Sequence, residues 1–323
     1  MSRVVVIGGS GHIGTYLVPR LVSAGFGVVS VSRGQRPPYQ SHGAWKFVRT
    51  VTLSREAEES AGAFGRKIRE LRPDIVIDMI CFTEASARHL VDALRGQVRH
   101  FLHTGTIWVH GPSVEVPTTE MQPRRPFGEY GIAKAQIEAY LIEMARKESF
   151  PATIIHPGHI VGPGWAPLNP AGHFNPNVFT MLAKGEELLL PNFGLETVHH
   201  VHADDVAQMF MCAIAHWSAS VGEVFHAVSP AAITLRGYAE AMAAWFGREP
   251  KLRYLPWVEW KDGQNELEAA QTYDHIAHSP NCSIAKAERM LGYRPRYRSI
   301  EAVCESVSWL IEKGIVQVER RAV

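Results

Sequence analysis

The segment VVVIGGSGHIG, residues 4–14, constrains this chain more than any other stretch. Four β-branched residues in a row call for a buried strand, and a glycine-rich turn follows at once. Gly9, Gly11 and Gly14 fit G-x-G-x-x-G, while Gly8, Gly11 and Gly14 fit G-x-x-G-x-x-G. Glycine at these spacings permits a tight turn, lets backbone approach a pyrophosphate, and lets a helix pack closely on a strand. Amides around His12 and Ile13, at the start of the next helix, then face the phosphates. A strand before and a helix after turn a weak glycine pattern into a dinucleotide-binding signature. Gly8, Ser10, Gly11, His12 and Ile13 are therefore the first candidate cofactor contacts.

The rest of the first half alternates in the same way. Apolar runs at 27–31, 45–48, 74–79, 99–103 and 152–156 read as strands, and 55–71, 84–94 and 130–147 read as helices. This alternation predicts a doubly wound α/β fold, a parallel-sheet Rossmann fold. After Gly158 the pattern changes, and 162–176 is rich in Gly, Pro and Asn. Helices are expected at 178–183, 204–215, 235–246, 283–291 and 300–313. The expected division is a cofactor-binding domain over 1–160 and a smaller C-terminal substrate lobe over 161–323. Strands near 197–228 are expected to return to the first sheet.

Composition narrows the function classes. A formal charge of +1 over 323 residues offers no basic excess for a phosphate backbone, so no nucleic-acid partner is expected. Cys81, Cys212, Cys282 and Cys304 are too far apart for a zinc knuckle or a disulfide scaffold, which points to a cytoplasmic protein with reduced thiols. No apolar run approaches the ~18 residues of a membrane span.

Two further segments carry chemistry. The second strand ends in Val31-Ser32-Arg33 where an NAD-preferring site would place Asp or Glu. A guanidinium there suits a 2′-phosphate, so NADP is expected ahead of NAD. Tyr130 and Lys134 stand four apart, on one face of a helix, where a cation can favour the phenolate. Strand 99–103 runs into Thr104-Gly105-Thr106, a hydroxyl beside the same crevice.

Taken together, GGSGHIG, DMICF, HTGTIWVHG, YGIAK, HPGHIVGPG, HVHADDVA and LGYRPRY resemble the extended short-chain dehydrogenase/reductases of the NAD-dependent epimerase/dehydratase family. The resemblance implies a catalytic set of Thr106, Tyr130 and Lys134, with Tyr130 as acid/base and Lys134 on the nicotinamide ribose. It places Pro157 and His159 beside the nicotinamide, and Ile80 along the adenosine and ribose. It also implies a homodimer. Ile107 and Trp108 replace the Asp–Glu pair of the family's dehydratases, so the resemblance does not extend to dehydration. His110 and His156 replace a usual Tyr and a usual Arg.

Trp108 and Phe174 are candidate substrate contacts, and Trp257 and Trp260 are assigned to core packing. The run His199-His200-Val201-His202 is read as a strand-to-helix junction with Asp204 or Asp205 near the helix cap, the pair His275 and His278 as polar packing or substrate-loop contacts, and no metal is expected. The expected activity is an NADP-dependent oxidoreductase or epimerase acting on a secondary alcohol or ketone of a small, sugar-like molecule. The alternative is a non-catalytic NADP-sensing or RNA-binding protein of the same fold.

Overall fold

Strand β1 (Arg3–Ile7) shows how the sheet is built. In the computed structural model, which describes residues 1–318, Val4 and Val6 pack on one face and Val5 and Ile7 on the other. Val4 and Val6 share a core with Leu17 and Leu21 of helix α1 (Gly14–Ser23) and with Met209 and Phe210 of the helix Ala203–Ala215. On the opposite face, Val5 and Ile7 meet Phe64, Leu90 and Ile137. A strand covered on both faces has no polar side, which explains the unbroken VVVI.

Strands β2 (Gly27–Ser32), β3 (Arg49–Thr52), β4 (Ile75–Asp78), β5 (His100–Thr104) and β6 (Ala152–Pro157) join β1 in one sheet. A seventh strand, Val224–Ala227, pairs with β6, whereas the other strands of 197–228 stay out of this sheet: His200–His202 pairs with His159–Val161, and Thr197–Val198 with Ile233–Thr234. Across the sheet the order is Val224–Ala227, β6, β5, β4, β1, β2, β3, and every pairing is parallel. This is a Rossmann-like doubly wound sheet. The strand order reverses between β1 and β4, and ligands of such sheets bind at the carboxyl ends beside that switch.

The glycine turn sets where α1 begins. Gly8 has φ +90°, a conformation in which side chains are strained. A Cβ on Gly14 would lie 2.1 Å from the Gly9 carbonyl oxygen, so helix and turn touch backbone to backbone. No side chain caps α1 at Ile13; the Thr15 and Tyr16 amides bond the carbonyls of Gly11 and Ile13, and Gly11, His12 and Ile13 line the crevice at its start.

Several local expectations need correction. The third strand is Arg49–Thr52, not 45–48, where a 3-10 turn, Gly43–Phe47, puts Trp45 against the core. This edge strand is mostly exposed and carries no apolar run to announce it. The expected helix 55–71 is two helices, Arg55–Ser60 and Phe64–Glu70, broken where Gly62 takes φ +64°. Helix Glu266–His278 escaped the sequence reading because its buried face is Thr272, His275 and His278. Hydrophobic periodicity is blind to a polar buried face.

The later chain surrounds its own core of Phe179, Tyr238, Met242, Trp260 and Val303. Trp260 is buried and donates to the Leu189 carbonyl, while Trp257 stacks on it half-buried. Asp204 pairs with Arg20 of α1 at 2.7 Å, and Asp205 accepts from the amides of Arg296 and Tyr297. The cap of the Ala203–Ala215 helix is His202, which accepts from the Asp204 amide, rather than either aspartate. Among the described residues no helix is long and apolar enough to cross a membrane. All four cysteines are free.

Two predictions follow from this packing. Gly14→Ala should destabilise the chain by about 1–3 kcal/mol, as overpacking does, and weaken dinucleotide binding; a calorimetric melt with and without cofactor checks both. Burial lowers His100, His199 and His275 to about 4 and His200 to about 3. Below about pH 6.5 the unfolded chain takes up protons that the folded chain refuses. The stability they contribute is therefore complete above that pH and lost as pH falls. Each histidine adds a slope approaching about 1.4 kcal/mol per pH unit. The urea midpoint should thus drop between pH 7 and pH 5.5, and a flat profile would contradict the packing.

Candidate active site

Helix Gly128–Glu148 carries Tyr130 and Lys134, and its Ile137, Leu141 and Met144 anchor it on the sheet. That anchoring turns the start of the helix toward the carboxyl end of β5. Lys134 is 2% exposed, and its Nζ donates to the carbonyls of Thr104 at 2.7 Å and Cys81 at 2.8 Å. One ammonium thus ties the ends of β4 and β5 to the helix. Burial lowers the Lys134 pKa to about 8.

Thr106 lies just past β5, 7% exposed; its hydroxyl accepts from the Trp108 amide at 3.3 Å and lines the same cleft as Tyr130. Tyr130 itself is 44% exposed and opens to the cleft. Its pKa is raised by burial of the phenol, an effect the neighbouring Thr106 hydroxyl offsets only in part. Lys134 Nζ sits 5.9 Å from the Tyr130 ring centre and spends its protons on two carbonyls.

A cleft of about 430 Å³ joins these groups to the glycine turn. Gly8, Gly11, His12, Ile13, Ile80, Thr106, Tyr130, Lys134, Pro157, His159 and Phe174 all line it, which brings most of the expected site residues into one space. An adjoining hollow of about 400 Å³ is lined by Gly8, Ser10, Gly11, Arg33, Arg36 and Ile80. The glycine backbone, the uncapped helix start and two guanidiniums at the far end fit a dinucleotide laid across both spaces.

Trp108 does not line the cleft. It stands edge-on to Tyr130 at 6.0 Å and stacks on His278 at 4.2 Å, with Phe127 on the other face of that ring at 3.9 Å. The stack buttresses the tyrosine. Phe174, 41% exposed, does line the cleft and packs edge-on to His275. His199 and His200 bond backbone carbonyls, and His202 caps its helix.

Sequence reasoning missed a contact across the crevice. His12 of the glycine turn stacks on Trp165 at 3.6 Å with the rings 3° from parallel, and hydrogen-bonds to Tyr39 at 3.0 Å. Trp165 and Tyr39 belong to loops with no periodic signal, and only the fold brings them to His12. Arg36, also unforeseen, reaches over the Tyr39 ring at 4.9 Å.

The chain was compared with known proteins. The family model described as the NAD dependent epimerase/dehydratase family matches residues 4–227. A 2'-dehydrokanamycin reductase of Streptomyces kanamyceticus is 35% identical over 136 residues, 42% of this chain and 36% of that protein. The chloroplast stem-loop binding protein of 41 kDa b of Arabidopsis thaliana is 22% identical over 98% of this chain and 82% of its own. Among solved structures, the UDP-glucose 4-epimerase of Thermotoga maritima with UDP-glucose superposes with TM-score 0.73 at 22% identity, covering 96% of this chain and 99% of that one. The likeness to that structure shows the fold. The chain belongs to the NAD dependent epimerase/dehydratase family and is an NAD(P)-dependent enzyme of the extended short-chain dehydrogenase/reductase type.

Proposed function

We propose that this chain is an NADP-dependent reductase or epimerase acting on a secondary alcohol or ketone of a sugar-like substrate, nucleotide sugars included. The carrying observation is the gathering of Thr106, Tyr130 and buried Lys134 in the cleft that also holds the glycine turn. When bound, a nicotinamide ring supplies or accepts hydride. The protein's part is the matching proton. Tyr130 gives it to, or takes it from, the substrate oxygen, and Thr106 holds that oxygen in line. Lys134 positions the helix and strand ends around them. With its pKa raised, Tyr130 rests as the acid, the form that protonates a ketone oxygen under reduction.

Arg33 supports NADP. It is exposed at the rim of the second hollow, beyond β2, where no carboxylate stands to hold a ribose diol. The names of the reductase and epimerase relatives favour carbohydrate alcohols and ketones. In this reading residues 1–160 with Val224–Ala227 bind cofactor, and 161–323 chiefly shape the substrate end. A cytoplasmic homodimer completes it, on the family resemblance and the unpaired cysteines.

A second reading, a non-catalytic NADP-sensing or RNA-binding protein, draws on the 98% coverage of the match to the stem-loop binding protein. The formal charge of +1 and the assembled Thr106, Tyr130 and Lys134 weigh against it.

Tyr130→Phe should lower turnover of NADPH with a panel of keto sugars by about 10²–10⁴-fold, with cofactor affinity nearly unchanged. Unaltered turnover would overturn the proton role. Arg33→Ala should weaken NADPH binding about 10- to 100-fold and leave NADH within a small factor, since a lost charge-assisted bond costs about 1.5–3 kcal/mol. Fluorescence titration with both cofactors reads this directly, and equal loss for the two would refute the NADP preference.

A further inference from the structure

Three histidines far apart in the chain meet behind the active site. His110 ends the short turn Ile107–His110, His156 lies on β6, and His226 lies opposite it on the paired strand Val224–Ala227. They are 6%, 0% and 0% exposed, and one ring nitrogen from each lies within 4.8 Å of the other two. His110 Nε2 hydrogen-bonds His226 Nε2 at 2.8 Å, so that a bound metal would take the place of the proton between them. His226 Nδ1 bonds the Ser283 carbonyl at 3.1 Å. A carbonyl only accepts, so Nδ1 carries the proton and Nε2 aims a lone pair into the cluster.

The surroundings complete the pattern. His156 Nε2 lies 3.1 Å from Glu138 Oε2, and Arg124 holds the other oxygen of that carboxylate at 2.6 Å. Glu120 accepts from the His226 amide at 3.0 Å. Yet Nδ1 of His110 and both ring nitrogens of His156 make no hydrogen bond, although all are buried, and the Glu138 oxygen facing His156 makes none either. Leaving buried nitrogens unpaired is costly, and His156, with neither ring nitrogen bonded, is the member of the cluster that a ligand would relieve. Imidazoles whose second nitrogen is held by a carbonyl or carboxylate are the usual dress of a metal-binding histidine.

We propose that His110, His156 and His226 form a buried site for a divalent transition-metal ion of the zinc class, oriented by the Ser283 carbonyl and the Glu138 carboxylate. Zinc–nitrogen bonds of about 2.0–2.1 Å set tetrahedral ligand nitrogens about 3.3 Å apart. The spacings here, from 2.8 Å to at most 4.8 Å, bracket that value, so ring rotations of about an ångström close the site. Its role is structural. It would clamp β6, its edge strand and the end of β5, where Gly105 leaves room for the His156 ring: a Cβ there would meet it at 2.3 Å.

A second cluster, Asp78, Cys81 and His103, does not qualify. Asp78 already takes two bonds from Arg55, and burial pushes the Cys81 thiol up to about 12.

The test uses tag-free full-length protein, stripped with a chelator and titrated with zinc chloride against a chromophoric competitor. One equivalent should bind, and the thermal midpoint should rise by several degrees. His226→Gln and His110→Asn should each weaken zinc binding at least about 100-fold, while His202→Gln, at a histidine outside the cluster, should not. If a variant fails to fold, the wild-type stoichiometry and thermal shift still decide. No bound zinc in the wild type, or equal binding after both cluster substitutions, overturns the site. Neither result depends on the nicotinamide chemistry.

Discussion

The backbone contact between Gly9 and Gly14 is the constraint from which the site follows. Because a Cβ at Gly14 would overlap the Gly9 carbonyl, α1 can start only where the turn leaves it. This aims its uncapped start at the sheet's switch point between β1 and β4. The helix dipole then favours an anion at that spot. Every other group of the cleft is placed relative to this point.

Lys134 performs the matching task on the far side. A buried ammonium is expensive unless its protons are used, and here two strand-end carbonyls take them. The lysine thereby fixes how the tyrosine helix sits over β4 and β5. Its Nζ lies 5.9 Å from the ring centre of Tyr130. Trp108, expected to touch substrate, instead braces Tyr130 through the stack with His278 and Phe127.

Much of the fold was legible because its signals are local. VVVI, the glycine spacing and the Tyr130–Lys134 interval each depend on neighbours within a few residues, so they survive in one dimension. The exposed edge strand Arg49–Thr52 and the helix Glu266–His278 were not legible. One lacks an apolar face, and the other buries polar side chains in place of apolar ones.

The sequence by itself determined the doubly wound sheet, the glycine turn and the interval that sets Tyr130 and Lys134 on one helix face, because backbone sterics and helix period act over short spans. Tertiary structure alone decided what meets across the crevice and behind it: His12 on Trp165, Trp108 behind Tyr130, and His110, His156 and His226 in one buried group. These partners are separated by up to 153 positions for His12 and Trp165 and 116 for His110 and His226. No local pattern encodes such pairs. Strand order and packing bring them within reach.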